Sequence, residues 1–256
     1  MSTPKIYSKN YLTPESILTV LSGNTSKAYL LDRDRNSKWI SQGQGTDGNV
    51  VTIDVDFYEG STPVPRTIDT FFMINTNVKD MTFFYWNGTS LVNYFSVLGN
   101  AEANLVRSFA PITTTRVHFE LVRTQTPNQE KFIGELAIGA LKLDLGAGPD
   151  QYDVKFREKA KELLLGDGAM HQMIIRHSPN RTQKYESRVG FKYVTQTLHD
   201  QLLALKEEGL PFLWHPEPVD RPQDLFYVHW TSPWKAKYVS SYKGAGFDVD
   251  LELKEV

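Results

Sequence analysis

The sequence contains no cysteine. Disulfides, thiol catalysis and cysteine-ligated zinc are thereby excluded together. It also lacks any apolar run long enough to cross a bilayer, and its polar beginning, Met1 to Tyr11, has no apolar signal core. The expectation is a soluble protein folded in a cytoplasm, with no membrane insertion. A surplus of one charge sign is missing as well: 28 basic side chains stand against 30 acidic ones. Without a basic excess to replace phosphate counterions, nucleic-acid specificity is not expected. No Gly-x-Ser-x-Gly elbow and no phosphate-cradling Gly-Lys-Ser/Thr occurs, and there is no internal repeat. The chemistry left is binding and assembly, so the chain is expected not to be an enzyme.

What is abundant is aromatic: 14 Phe, 12 Tyr and 5 Trp, often alternating with polar residues. Val50 to Phe57 places Val51, Ile53, Val55 and Phe57 on one face of a strand, with Thr52, Asp54 and Asp56 on the other. Thr70 to Asn75 and Thr82 to Trp86 are further strands by their Phe and Ile content. Asn87-Gly88 then marks a hairpin. Arg116 to Val122 alternates again, with Val117, Phe119 and Leu121 opposite His118 and Glu120, and Leu136 to Leu145 follows the same rule. Short strands joined by turns predict a mainly β fold, with a jelly-roll sandwich over residues 1–144.

Gly146, Gly148 and Pro149 mark a boundary, and residues 145–256 are expected to form a second, barrel-like or sandwich-like domain with one or two helices. Tyr152 to Leu165 shows helical spacing of Phe156, Ala160, Leu163 and Leu164. Thr197 to Glu208 is a second helix, with Thr197 and Asp200 as a weak capping box and Gly209 as its stop. Strands are expected at Met170 to His177, Tyr185 to Val194, Pro211 to His215, Leu225 to Thr231, Lys235 to Ser240 and Phe247 to Lys254.

Several motifs imitate sites. Gly43-Gln-Gly45-Thr-Asp-Gly48 spells the dinucleotide fingerprint, but it precedes a strand, where the real motif follows one and opens a helix. Asp32-Arg-Asp34-Arg-Asn36 starts like a calcium loop, yet Ser37 and Gly43 replace its required glycine and glutamate. That leaves no cofactor, with room only for a structural calcium held by oxygen ligands at Asp32 or Asp34. The six histidines are scattered and show no metal-ligand spacing. Trp39 and Trp86 sit beside turns, the better positions among the five tryptophans for stacking on a sugar. Asp248, Asp250 and Glu252 form an acidic stripe on the last strand, readable as a solvated or subunit-facing edge.

Two resemblances follow. From Lys5 to Lys142, Ala28-Tyr29, Asp32, Trp39, the strand Thr52-Ile-Asp-Val-Asp56, the Asn87-Gly88 hairpin and Phe132-Ile-Gly-Glu-Leu-Ala-Ile-Gly139 come in the order of the discoidin (coagulation-factor type C, galactose-binding-like) sandwich. That resemblance implies ligand contacts on loops near Asp32, Trp39 and Gln42, and Trp86 joins them as a candidate by its own place beside a turn. From Leu143 to Val256, the order strand, polar loop, strand, helix, strand through Arg188-Val-Gly-Phe191, Thr197 to Glu208 and Pro211-Phe-Leu-Trp214 resembles tailed-phage tail-tip proteins, distal tail and baseplate hub included. It implies a structural protein of the virion tail, assembled in the host cytoplasm as a homo-oligomeric ring with other tail proteins as partners. Arg181, Lys184, Asp248, Asp250 and Glu252 would make the contacts, and the sandwich would be peripheral or would touch host glycans. The alternative is a carbohydrate-binding module or an accessory domain of a carbohydrate-active protein.

Overall fold

The structure is a computed structural model, and it describes residues 3–8, 10–13, 16–32, 37–146, 148–164, 170–175, 183–222, 224–241 and 244–255. The chain begins with β1 (Lys5–Tyr7). There follow β2 (Ile17–Val20), β3 (Trp39–Ile40), β4 (Val51–Asp56), β5 (Tyr58–Glu59), β6 (Thr62–Pro63), β7 (Arg66–Thr76), β8 (Val78–Trp86), β9 (Leu91–Val97), β10 (Leu105–Thr114), β11 (Arg116–Thr124) and β12 (Phe132–Gly139). The remainder holds β13 (Leu141–Asp144), β14 (Gln151–Leu164), β15 (Met170–Ile175), β16 (Gln183–Val194), helix α1 (Gln196–Glu208), β17 (Phe212–His215), β18 (Phe226–Trp230), β19 (Ala236–Ser241) and β20 (Gly244–Glu255). The fold is mainly β.

Contacts divide the chain into two units: Asn10–Leu141, and Met1–Lys9 together with Lys142–Val256. The first unit is thus inserted into the sequence of the second, which differs from a simple cut at 144. The reason is pairing: β1 runs antiparallel to β17, with Lys5 opposite His215, so the chain's opening strand belongs to the later sheet.

The inserted unit is a β-sandwich. One sheet has the order β10-β7-β12-β3, the other β2-β4-β11-β8-β9. Alternation along β4 and β11 sends Val51, Ile53, Val55, Val117, Phe119 and Leu121 inward, all fully buried, against Phe71, Met73, Leu136 and Ile138 of the facing sheet. Each such side chain stabilises the unit by roughly 1.5–3 kcal/mol through burial. Asn87 closes β8 onto β9, its side-chain oxygen accepting from the backbone amides of Thr89 and Ser90 while Gly88 takes φ 102.

The second unit is built on one nine-stranded sheet, ordered β13-β1-β17-β18-β20-β16-β14-β15, with β19 also paired to β20. Helix α1 is capped by Thr195, which accepts the Leu198 amide, and ends at left-handed Gly209. The cap therefore lies two residues before the expected Thr197. The helix expected over Tyr152 to Leu165 is instead strand β14, paired first with β16 and then with β15. A hairpin ladder with β15 and a longer-range ladder with β16 override the helical spacing of a Lys- and Glu-rich segment, since strand preference is decided by neighbours more than by composition. Gly246 is required where β20 passes the bulge in β16: an added Cβ would lie 2.6 Å from the Tyr193 carbonyl carbon.

Candidate functional site

Period-2 alternation fixes which side chains of the five-stranded sheet face away from the sandwich core. On β4 these are Thr52, Asp54 and Asp56, on β11 Arg116, His118 and Glu120, and on β8 Thr82, Phe84 and Trp86. Register then sets them side by side. Arg116 is opposite Asp56 and His118 opposite Asp54, while Phe84 is opposite His118 on the other flank.

At the end of this face, Asp56, Tyr58, Pro63, Trp86, Thr115 and Arg116 line a cavity of about 230 Å³. The Arg116 guanidinium donates through Nε to Asp56 Oδ1 and lies 5.9 Å from the centre of the Trp86 ring. The Asp56 partnership holds Arg116 above its ordinary value, so its charge is permanent. Thr114 Oγ1 donates to the Trp86 carbonyl, tying the ring's backbone to the end of β10. The Trp86 and Tyr58 side chains are half-buried, so each keeps a surface toward solvent. The result is an aromatic surface beside an acceptor and a forked donor, the combination that holds the apolar face and the hydroxyls of a sugar together.

One step along the same strands, His118 Nδ1 and Asp54 Oδ1 are 2.8 Å apart, with His118 Nε2 3.7 Å from Glu120. The Asp54 hydrogen bond raises the His118 pKa above the ordinary value, against the opposing pull of burial. Phe84 meets the His118 ring edge-on at 5.4 Å.

The opposite end of the sandwich has its polar groups committed to structure. Asp47 accepts from the Thr124 and Asn128 amides, and the Asn77 side chain bridges the Glu130 carbonyl and the Phe132 amide. Burial lowers the pKa of Lys131, whose ammonium reaches the Thr46 carbonyl at 3.4 Å. This end sits at the start of β8 and the Trp86 cavity at its finish, so strand rise alone separates them by roughly 25 Å.

That separation divides the residues expected to bind ligand. Trp86 lines the cavity. Trp39 is fully buried, its indole donating to the Ser22 carbonyl at 3.2 Å, and offers no ring to a ligand. Its pocket is shaped by Gly23, where a Cβ would lie 1.9 Å from the Ile40 carbonyl oxygen. Gln42 is exposed beside Gly43, whose amide donates to Glu130, at the opposite end from Trp86. Asp32 is exposed and accepts from Ser37. Residues 33–36, including Asp34, lie outside the described residues, as does Arg181. Among the described residues, no group of three or more His, Cys, Asp or Glu could hold a metal ion.

The residues expected to make subunit contacts also read differently. Lys184 is on β16, opposite Arg157 of β14. Strand β20 is internal, paired with β16 on one side and with β18 and β19 on the other, so its acids do not line an edge. Asp250 pairs with Arg188 at 3.5 Å and Asp248 accepts the Tyr193 amide. Glu252 joins Asp153, Glu186, Arg188 and Lys254 around a cavity of about 310 Å³. The residues that sequence reading missed for the Trp86 site are Asp56, Tyr58 and Arg116. Alternation marks Asp56 as outward, but only strand register brings it to Arg116.

No family model matches the chain, and no curated protein matches it either. Solved structures that resemble about half of it include a family 32 carbohydrate-binding module of Clostridium perfringens in complex with galactose, at 12% identity. That match covers 53% of this chain and 98% of the module, with a TM-score of 0.43. A chitosan-binding module from a Paenibacillus chitosanase/glucanase shares 11% identity, covering 52% of this chain and 99% of the module at a TM-score of 0.43. A Ruminococcus gnavus fucosidase in complex with fucose shares 12%, covering 53% of this chain and 27% of the enzyme at 0.44. At these identities and TM-scores the likeness carries nothing about a ligand, which rests on the residues alone. The structures named are sugar-binding modules and a glycoside hydrolase, none of them a virion component. Nothing in these comparisons supports the expected phage tail-tip identity, the ring or the tail-protein partners, and that expectation is withdrawn.

Proposed function

We propose that the Asn10–Leu141 unit is a saccharide-binding module whose contact site is the cavity at Asp56, Tyr58, Trp86 and Arg116, and that the protein acts by binding rather than by catalysis. The observation that carries this is the cavity itself, where a half-buried indole stands beside a carboxylate–guanidinium pair. Sugars present an apolar C–H face and a rim of hydroxyls; the indole suits the first, and Asp56 and Arg116 accept from and donate to the second. The Arg116–Asp56 pair also holds both groups in place before a ligand arrives, which lowers the ordering cost of binding.

The test is a glycan array on the purified chain, followed by calorimetric titration of the strongest ligand. Trp86→Ala is expected to weaken binding roughly 5- to 30-fold, because stacking contributes on the order of 1–2 kcal/mol. Asp56→Asn is expected to weaken it further than its loss of charge alone would, since Arg116 is then released. An array flat for every glycan, or a Trp86→Ala variant that binds as well as the parent, would sink the proposal.

A further inference from the structure

The Trp86 cavity is the end of a pattern that repeats. Asp56, Arg116 and Trp86 contribute a carboxylate, a cationic donor and an aromatic ring from three adjacent strands. Two residues along each strand, on the same outward face, stand Asp54, His118 and Phe84, again a carboxylate, a nitrogen donor and an aromatic ring in the same strand order. The two rows are displaced by two strand residues, roughly 7 Å. The second row continues sideways in register, from Thr19 on β2 across Asp54, His118 and Phe84 to Asn93 on β9. Thr19 and Asn93 are exposed hydrogen-bonding residues, so the row has polar ends around its ring.

The charge of the face adds a constraint. Within these two rows and beside them, Asp54, Asp56 and Glu120 stand against the guanidinium of Arg116, with His118 hydrogen-bonded to Asp54 and within 3.7 Å of Glu120. The face is therefore acid-rich even with His118 protonated, and an anionic sugar would bring its carboxylate toward like charges.

Resting on the saccharide-binding reading above, we infer that the site has two consecutive subsites, the Asp56–Arg116–Trp86 row and the Asp54–His118–Phe84 row. Its ligand is then an oligosaccharide of at least two rings, built of neutral or amino sugars and not of acidic ones, running along the strands. Cross-strand pairing alone would also place a histidine between a carboxylate and a phenyl ring, so the experiment must read ligand length as well as stability.

The experiment titrates the full chain by calorimetry with a neutral disaccharide selected on the array, its component monosaccharide, and a uronic-acid disaccharide. The disaccharide is expected to bind roughly tenfold more tightly than the monosaccharide, and the uronate not to bind at the same concentrations. Phe84→Ala and His118→Gln are each expected to bring the disaccharide-to-monosaccharide ratio close to one, and Phe84→Tyr, which keeps the ring, to restore it. Circular dichroism of each variant confirms that it is folded. A ratio near one in the parent protein, or a parent-like ratio in both Phe84→Ala and His118→Gln, overturns the two-subsite inference while leaving Trp86-dependent monosaccharide binding intact. Tight binding of the uronate overturns the charge selection. Loss of Trp86 dependence for every ligand overturns the saccharide site itself, and the inference with it.

Discussion

The two units both bury a single apolar cluster, yet they hold their large rings in different ways. In the inserted sandwich, rings meet rings. Phe83 lies within 5.7 Å of Phe71, Phe95, Phe109 and Phe119, and none of these five carries a polar atom. In the other unit the buried rings are hydrogen-bonded to one another: Trp214 donates to the Tyr185 hydroxyl at 3.0 Å, and Tyr152 meets the same hydroxyl at 3.0 Å. Tyr185 also stacks on Phe226 at 3.8 Å, and Trp230 donates to Ser232. An apolar cluster tolerates small adjustments and fails by opening a cavity. A hydrogen-bonded one fails when a polar atom loses its partner. The cluster around Phe83 is built of rings without polar atoms, whereas the cluster around Tyr185 holds hydroxyl and indole groups bonded to one another.

The strongest way to break this comparison is Phe83→Ala. It removes the ring that four others pack on, and a loss of about 3–5 kcal/mol is expected in denaturant unfolding, with faster hydrogen exchange confined to the sandwich strands. If exchange rose equally in β16 and β20, the two cores would not be separable in the way described. Next in size is Gly246→Ala in the other unit. Its Cβ would meet the Tyr193 backbone at 2.6–2.8 Å, so β20 and the β16 bulge must part, at a cost of about 2–3 kcal/mol by the same unfolding assay. Tyr185→Phe sharpens the contrast at constant ring size. It takes from Trp214 the acceptor at 3.0 Å, and about 1–2 kcal/mol of stability is expected to go with it. A Tyr185→Phe variant as stable as the parent would show that the polar network is dispensable.

The smallest effect is a pH slope, and it belongs to the sandwich. His118 has a folded pKa above its ordinary value of 6.5 because Asp54 accepts its hydrogen bond. A raised folded value means the stabilisation is fully present below about pH 6.5 and is lost as pH rises through the folded pKa. Thermal midpoints measured across that window should fall with rising pH in the parent and fall less in His118→Gln. The groups facing His118 are Asp54, Glu120 and Phe84. In the other unit, burial pushes the Tyr152 and Tyr185 hydroxyls upward, so that pair stays neutral throughout.

Local alternation made the cores legible from sequence. Val51, Ile53, Val55 and Phe57 are all fully buried, as are Val117, Phe119 and Leu121, and Val249, Leu251 and Leu253 are inward on the last strand. These strands obey a period that needs no partner to be read. Helix α1 was legible for the same reason, its leucine stripe and terminal Gly209 being local signals. Strand β14 was not, because its spacing fits a helix and only β15 and β16 make it a strand. Half of the Trp86 site was within reach, since a tryptophan beside Asn-Gly is visible at once. Arg116 and Asp56 are sixty residues apart, and nothing local says that β4 and β11 are neighbours. Trp39 was misread for a related reason: lying near a turn says little about depth, and the Ser22 carbonyl that takes its indole proton is seventeen residues away.

The pairing of β1 with β17 bears on how the chain is made. Lys5, Ile6 and Tyr7 leave the ribosome before the sandwich strands, yet their partners His215, Trp214 and Leu213 are about two hundred residues later. Every partner of the sandwich strands lies between Ile17 and Gly139, so that unit can close while the ribosome is still translating the second sheet. Strand β1 must wait, its backbone amides hydrogen-bonded to water, until β17 arrives. Its own pairing is among the last contacts to form, and synthesis completes the inner guest before the host that surrounds it in sequence.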